Sequence, residues 1–110
     1  LNIIGIIAIE MFIDKSNEII VNEVAPRPHN SGHWTIDACN ISQFEALVRV
    51  IFDLPIPNIK YYHNCKMINI LGTNYNVIEK SFYKKNHKIH IYGKDEIKAG
   101  RKLGHINILS

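Results

Sequence analysis

Apolar positions in this chain change period along its length. From Ile3 to Ile13 and from Glu18 to Val24 they are dense and β-branched, and Asp14-Lys15-Ser16-Asn17 between them has turn composition, so the pattern predicts a β-hairpin. An irregular stretch covers residues 25–35. Phe44, Leu47, Val48 and Ile51 then recur at helical spacing behind a capping box of Ser42 and Glu45, and Pro55 and Pro57 close that helix. Three short strands follow: Lys66–Leu71, Lys88–Tyr92 and Gly104–Leu109, the first two ending at Gly72 and Gly93. The polar, Asn- and Lys-rich segment Thr73–Asn86 reads as a helix or a mobile loop. These elements predict an α+β chain: a hairpin, loop and helix over residues 1–57, then a small, mostly β domain over residues 58–110.

The hairpin register carries a chemical consequence. A turn centred between Ser16 and Asn17 sets Lys15 opposite Glu18, Ile13 opposite Ile20 and Glu10 opposite Glu23. Directly opposed residues share a face with Cβ atoms about 5 Å apart. Two ionised carboxylates there repel, and the apolar strands add a desolvation cost. A shared proton, a basic side chain or a divalent cation must offset this, and hard oxygen ligands suit Mg²⁺ or Mn²⁺. A loop one residue longer or shorter would put the glutamates on opposite faces, one of them simply in solvent.

Directly after Glu23 comes Val24-Ala25-Pro26-Arg27-Pro28-His29-Asn30-Ser31-Gly32-His33-Trp34-Thr35. Pro26 and Pro28 fix φ and bias the residues before them toward extended geometry, so Arg27 has little backbone freedom. Arg27 and His29 can donate to an anion, and Asn30 and Ser31 add neutral donors. A stiffened loop of donors suits a small anionic substrate, because less ordering is left for binding to oppose. His29 and His33 with Glu23 could instead hold zinc, but that needs a helix across Gly32 just after Pro28. Trp34 is expected to pack beneath the loop.

Composition narrows the class. With 46% hydrophobic residues in 110 the chain is expected to be globular, one domain or one with a small appendage. No apolar run reaches the roughly 18 residues of a membrane span. The apolar N-terminus lacks a basic flank and a cleavage site, and Glu10 interrupts it, so it is no signal segment. Cys39 and Cys65 lack metal spacing and read as reduced thiols, and His63, His87, His90 and His105 lack ligand spacing. The net charge of +3 divides into –4 over residues 1–57 and +7 over residues 58–110. An acidic half able to hold a cation beside a basic half able to hold phosphate fits a nucleotide enzyme, although most of those lysines need be no more than solvated.

The segment Asn22–Thr35 resembles the signature of the 5-(carboxyamino)imidazole ribonucleotide synthetase family, ATP-grasp enzymes of purine synthesis in bacteria and fungi. Related ATP-grasp carboxylases and transformylases share a Glu and then Pro-Arg-Pro-His, but diverge where this chain reads Asn30-Ser31-Gly32-His33-Trp34-Thr35. Tyr92-Gly93-Lys94 and Arg101-Lys102-Leu103-Gly104-His105 carry a second part of the resemblance. The likeness runs from Ile3 to Leu109 and covers only the last part of the family's length. Together with an opening that lacks methionine, it gives the expectation of a fragment.

The resemblance implies the C-terminal part of an ATP-grasp domain followed by a small β-rich domain. It implies a ligase that uses ATP to join bicarbonate to aminoimidazole ribonucleotide, releasing ADP and phosphate. Glu10 and Glu23 would be the metal ligands, for Mg²⁺ or Mn²⁺. Asn22 and Glu23 would contact ATP, and Arg27, His29 and Asn30 would hold bicarbonate or carboxyphosphate. Lys94 and Arg101 would clasp the ribonucleotide phosphate. It further implies a cytoplasmic protein, homodimeric at full length, with no nucleic acid or membrane as partner. The 110 residues alone would be inactive, since the ATP-gripping lysines, lid and adenine pocket would lie upstream. Two alternatives stay open: an ATP-grasp ligase for another ribonucleotide, and a single-strand nucleic-acid module using Tyr61, Tyr62, Tyr75, Phe82, Tyr83 and Tyr92 among the lysines.

Overall fold

The structure, a computed structural model, describes residues 2–110. It divides into two compact units, Leu1–Lys60 and Tyr61–Ser110.

In the first unit β1 (Ala8–Ile13) and β2 (Ile19–Ala25) form an antiparallel two-stranded sheet. The turn is one residue longer than the composition suggested. Asp14 N–H donates to Glu18 O at 3.0 Å, and the carboxylate of Asp14 caps the backbone N–H groups of Ser16 and Glu18 at 2.7 and 2.8 Å. Lys15, Ser16 and Asn17 form the loop, with Asn17 in the left-handed region at φ 61° that asparagine tolerates. Asp14 rather than Lys15 therefore faces Glu18, and Ile13 pairs with Ile19 while Phe12 pairs with Ile20, which corrects the expected register near the turn.

Carried along the whole hairpin, that register would set Glu10 against Asn22 and put Glu23 on the other face. A β-bulge prevents this. The register shifts between Glu10 and Met11, so Met11 pairs with Val21, Asn22 is the extra residue, and Glu10 faces Glu23. Bulges re-aim side chains in this way, and here one compensates for the longer turn.

β1 begins at Ala8 rather than Ile3. After β2, a 3₁₀ turn at Asn30–Gly32 leads into a short helix α1 (Thr35–Ala38), neither of which hydropathy indicated. Helix α2 (Gln43–Ile51) starts as expected at Ser42, whose Oγ accepts from Glu45 N–H at 3.1 Å. It stops at Phe52, before the prolines, with Asp53 left-handed at φ 51°. Much of the expected apolar face of α2 is exposed, as are Met11, Phe12, Ile20 and Val21 of the hairpin.

The second unit holds β3 (Cys65–Leu71), helix α3 (Val77–Phe82), β4 (His87–Ile91) and β5 (Lys102–Leu109). The strands form an antiparallel sheet in the order β3-β5-β4. The helix in the polar segment is anchored by two of its apolar residues: Val77 and Ile78 pack on a cluster that includes Ile70, Leu103 and Ile106. Gly72 N–H donates to Arg101 O at 3.1 Å, and a Cβ on Gly72 would lie 2.2 Å from Lys98 O. Glycine thus lets the loop before β5 lie against the end of β3.

In the sheet, His105 pairs with Asn69 and His90, on the face opposite the core isoleucines. His105 is buried, stacks on His90 at a centroid distance of 4.5 Å, and its Nδ1 meets Tyr92 Oη at 2.8 Å. Burial pushes the Tyr92 phenol above its ordinary value of 10.0. A raised folded-state value stabilises the fold below the unfolded value and is lost as pH rises through the folded one. Alkaline titration is therefore expected to destabilise the second unit above about pH 10. Tyr92→Phe should remove that part of the loss, as urea unfolding at pH 8 and pH 11 would show; an unchanged alkaline loss in the variant rules this origin out.

Candidate functional site

The bulge and the loop after it build one cluster. Glu10, Glu23 and His29 each bring a ligand atom within 4.8 Å of the others. Asn22, displaced by the bulge, donates from Nδ2 to Glu10 Oε2 at 3.1 Å. Arg27 Nη2 lies 3.5 Å from Glu23 Oε1 and its Nη1 donates to Pro28 O at 3.1 Å. A guanidinium beside the pair is one of the offsets that opposed carboxylates require.

His29 also caps the 3₁₀ turn. Its Nδ1 accepts the backbone N–H of Ser31 at 3.3 Å and lies 2.8 Å from Ser31 Oγ. An Nδ1 that accepts leaves the proton of the neutral ring on Nε2. In that tautomer Nε2–H turns toward the carboxylates, 3.8 Å from Glu23 Oε1 and so beyond hydrogen-bond distance.

The residues fit a hard divalent cation. Two carboxylates supply oxygen ligands, and half-exposed Glu23 leaves room for the waters that Mg²⁺ retains. The zinc set does not form: a 3₁₀ turn does cross Gly32, but His33 Nδ1 is 2.7 Å from Gln43 Nε2, and the cluster around Glu23 does not include it. Asn30 begins the turn and is half-buried.

Gln43 is the residue that sequence reasoning missed. Its Oε1 accepts His29 N–H at 2.9 Å and its Nε2 donates to His29 O at 2.8 Å, so one amide holds both sides of His29. In the sequence it was one polar residue after a helix cap, with no spacing to mark it.

In the second unit Lys94 and Arg101 both lie on the connection from β4 to β5. Lys94 is exposed and follows Gly93, which has φ 61°. Arg101 Nη1 is 4.0 Å from Glu96 Oε2, and Lys98 also pairs with Glu96. An incoming phosphate would compete with that carboxylate for the guanidinium. Cys39 is a free thiol whose pKa burial raises, which suppresses its thiolate. Among the described residues no helix is long and apolar enough to cross a membrane.

Comparison with known proteins gives the class first. Residues 1–44 match the ATP-grasp domain and residues 65–110 match the phosphoribosylaminoimidazole carboxylase C-terminal domain. The N5-carboxyaminoimidazole ribonucleotide synthase of Bacillus subtilis is 46% identical over 110 residues, which is 99% of this chain and 29% of that protein. A carboxyaminoimidazole ribonucleotide synthase from Aspergillus clavatus solved with ATP superposes with a TM-score of 0.89 at 40% identity, over 96% of this chain and 30% of that one. A structure from the same source, solved with ADP and 5-aminoimidazole ribonucleotide, gives 0.88 at 40% identity over the same shares. Along its whole length the chain is homologous to N5-carboxyaminoimidazole ribonucleotide synthases, with an ATP-grasp segment followed by a carboxylase C-terminal segment. It spans about three tenths of the length of these relatives.

Proposed function

We propose that this chain supplies the metal, bicarbonate and substrate-phosphate contacts of a ligase that carboxylates 5-aminoimidazole ribonucleotide at the expense of ATP. The observation that carries the reading is the bulge-set convergence of Glu10 and Glu23 beside Arg27 and His29. The relatives solved with ATP and with the aminoimidazole ribonucleotide support the substrates. They favour this reading over another ribonucleotide and over a nucleic-acid module.

In this reading Glu10 and Glu23 hold Mg²⁺ or Mn²⁺, which when bound neutralises phosphate charge, and Asn22 contacts the nucleotide beside them. Arg27, His29 and Asn30 hold bicarbonate. A bicarbonate oxygen attacks the γ-phosphorus of ATP, the bond to ADP breaks, and carboxyphosphate forms. The exocyclic amine of the ribonucleotide then attacks the carboxyl carbon, the C–O bond to phosphate breaks, and the amine proton leaves with phosphate or solvent. Fixed donors and exclusion of water matter more here than a covalent nucleophile. Lys94 and Arg101 clasp the substrate phosphate. The full-length form is a cytoplasmic homodimer.

The test is a hybrid in which these 110 residues replace the matching segment of the Bacillus subtilis relative. It should release ADP only with bicarbonate and the ribonucleotide both present; ADP release indifferent to either would reject the assignment. The isolated chain should bind Mg²⁺-ATP weakly, because only residues 1–44 match the ATP-grasp domain. Micromolar binding by calorimetry would contradict that.

A further inference from the structure

We propose that Gln43 is a positioning residue for the anion-binding loop, and that its carboxamide keeps ATP cleavage coupled to carboxyl transfer. The inference rests on the ligase reading and adds to it a residue that touches neither the metal nor the nucleotide site.

The amide orientation is fixed by chemistry. His29 N–H can only donate and His29 C=O can only accept, so the atom 2.9 Å from the first is oxygen and the atom 2.8 Å from the second is nitrogen. Nε2 also reaches His33 Nδ1 at 2.7 Å, so that ring atom is an acceptor. One side chain on α2 thereby satisfies both backbone groups of His29, fourteen residues earlier, and ties His33 to the same point.

The backbone of Gln43 is tied to the same loop. Gln43 N–H donates to Thr35 Oγ1 at 3.0 Å, and the Thr35 hydroxyl donates to Gly32 O at 2.6 Å. The approach leaves no space at Gly32, where a Cβ would lie 2.6 Å from Gln43 Oε1. His29 is the residue whose Nε2 faces Glu23, so the clasp fixes where that donor points.

Carboxyphosphate left in loosened surroundings reacts with water, returning bicarbonate and phosphate. ATP is then consumed without product. Loosening the loop is therefore expected to change the stoichiometry, which a loss of folded enzyme would not do.

The experiment uses the hybrid enzyme with Gln43→Glu and, separately, Gly32→Ala. Gln43→Glu keeps length and one acceptor oxygen but sets a carboxylate oxygen against His29 C=O. Gly32→Ala leaves Gln43 in place and pushes its head group away. For both we expect product formation to fall about 10- to 100-fold, the effect of a misplaced catalytic contact, with KM for ATP within about twofold. Phosphate released per product should rise well above the single equivalent of the parent hybrid. A parent hybrid without bicarbonate-dependent product overturns the ligase reading and this inference with it. A coupled parent whose variants lose phosphate and product in equal proportion, or keep both, overturns the role of Gln43 alone.

Discussion

Glu23→Gln in the hybrid enzyme is expected to lower kcat about 100-fold or more while leaving the fold as stable as before. The glutamate is one of two opposed carboxylates within 4.8 Å, and the amide that replaces it is a poor ligand for a hard cation. Losing one anionic ligand should remove roughly 3 kcal/mol of transition-state charge stabilisation, and each 1.36 kcal/mol is a factor of ten. Stability should change by less than about 1 kcal/mol, because the exposed pair with Arg27 is weak and the repulsion from Glu10 is relieved. Glu10→Gln should behave alike. Thermal unfolding and Mg²⁺-dependent kinetics check both halves; a variant that loses stability and activity together would mark Glu23 as structural.

Arg101→Ala should raise KM for the ribonucleotide about 10- to 150-fold, the effect of removing a hydrogen bond to a charged group worth about 1.5–3 kcal/mol. KM for ATP should barely change. Lysine acts as a point charge and arginine as a fork, so Lys94 and Arg101 together can neutralise a phosphate dianion and fix its direction. Arg101 starts within 4.0 Å of Glu96, so Glu96→Gln should lower KM for the ribonucleotide modestly. A loss confined to ATP would place Arg101 in the nucleotide site.

The elements whose residues repeat with a clear period were legible in the sequence. The hairpin, α2 and the strands of the second unit lie where alternation and helical spacing put them, with ends shifted by up to five residues. The juxtaposition of Glu10 and Glu23 was also predicted, but through a register that is right only beyond the bulge. The three-residue turn and the extra Asn22 shift the pairing in opposite senses. Neither could be read from composition, because turn length depends on the left-handed geometry of Asn17 and bulges leave no periodic mark. The loop chemistry was visible because prolines and charged groups stand together. The clasp by Gln43 was not, since it joins residues fourteen apart through one side chain and two backbone groups. The anchoring of α3 was missed for a similar reason: two apolar residues suffice when the sheet presents a ready surface.

The hybrid is expected to form carboxyphosphate at the loop beside Glu10 and Glu23. The most direct measurement follows ¹⁸O from labelled bicarbonate during turnover with ATP and 5-aminoimidazole ribonucleotide. The bicarbonate oxygen that attacks phosphorus stays with phosphate when the carboxyl group is transferred. One ¹⁸O atom in the phosphate for each product formed is the result expected. Product accompanied by phosphate free of bicarbonate-derived ¹⁸O would contradict it.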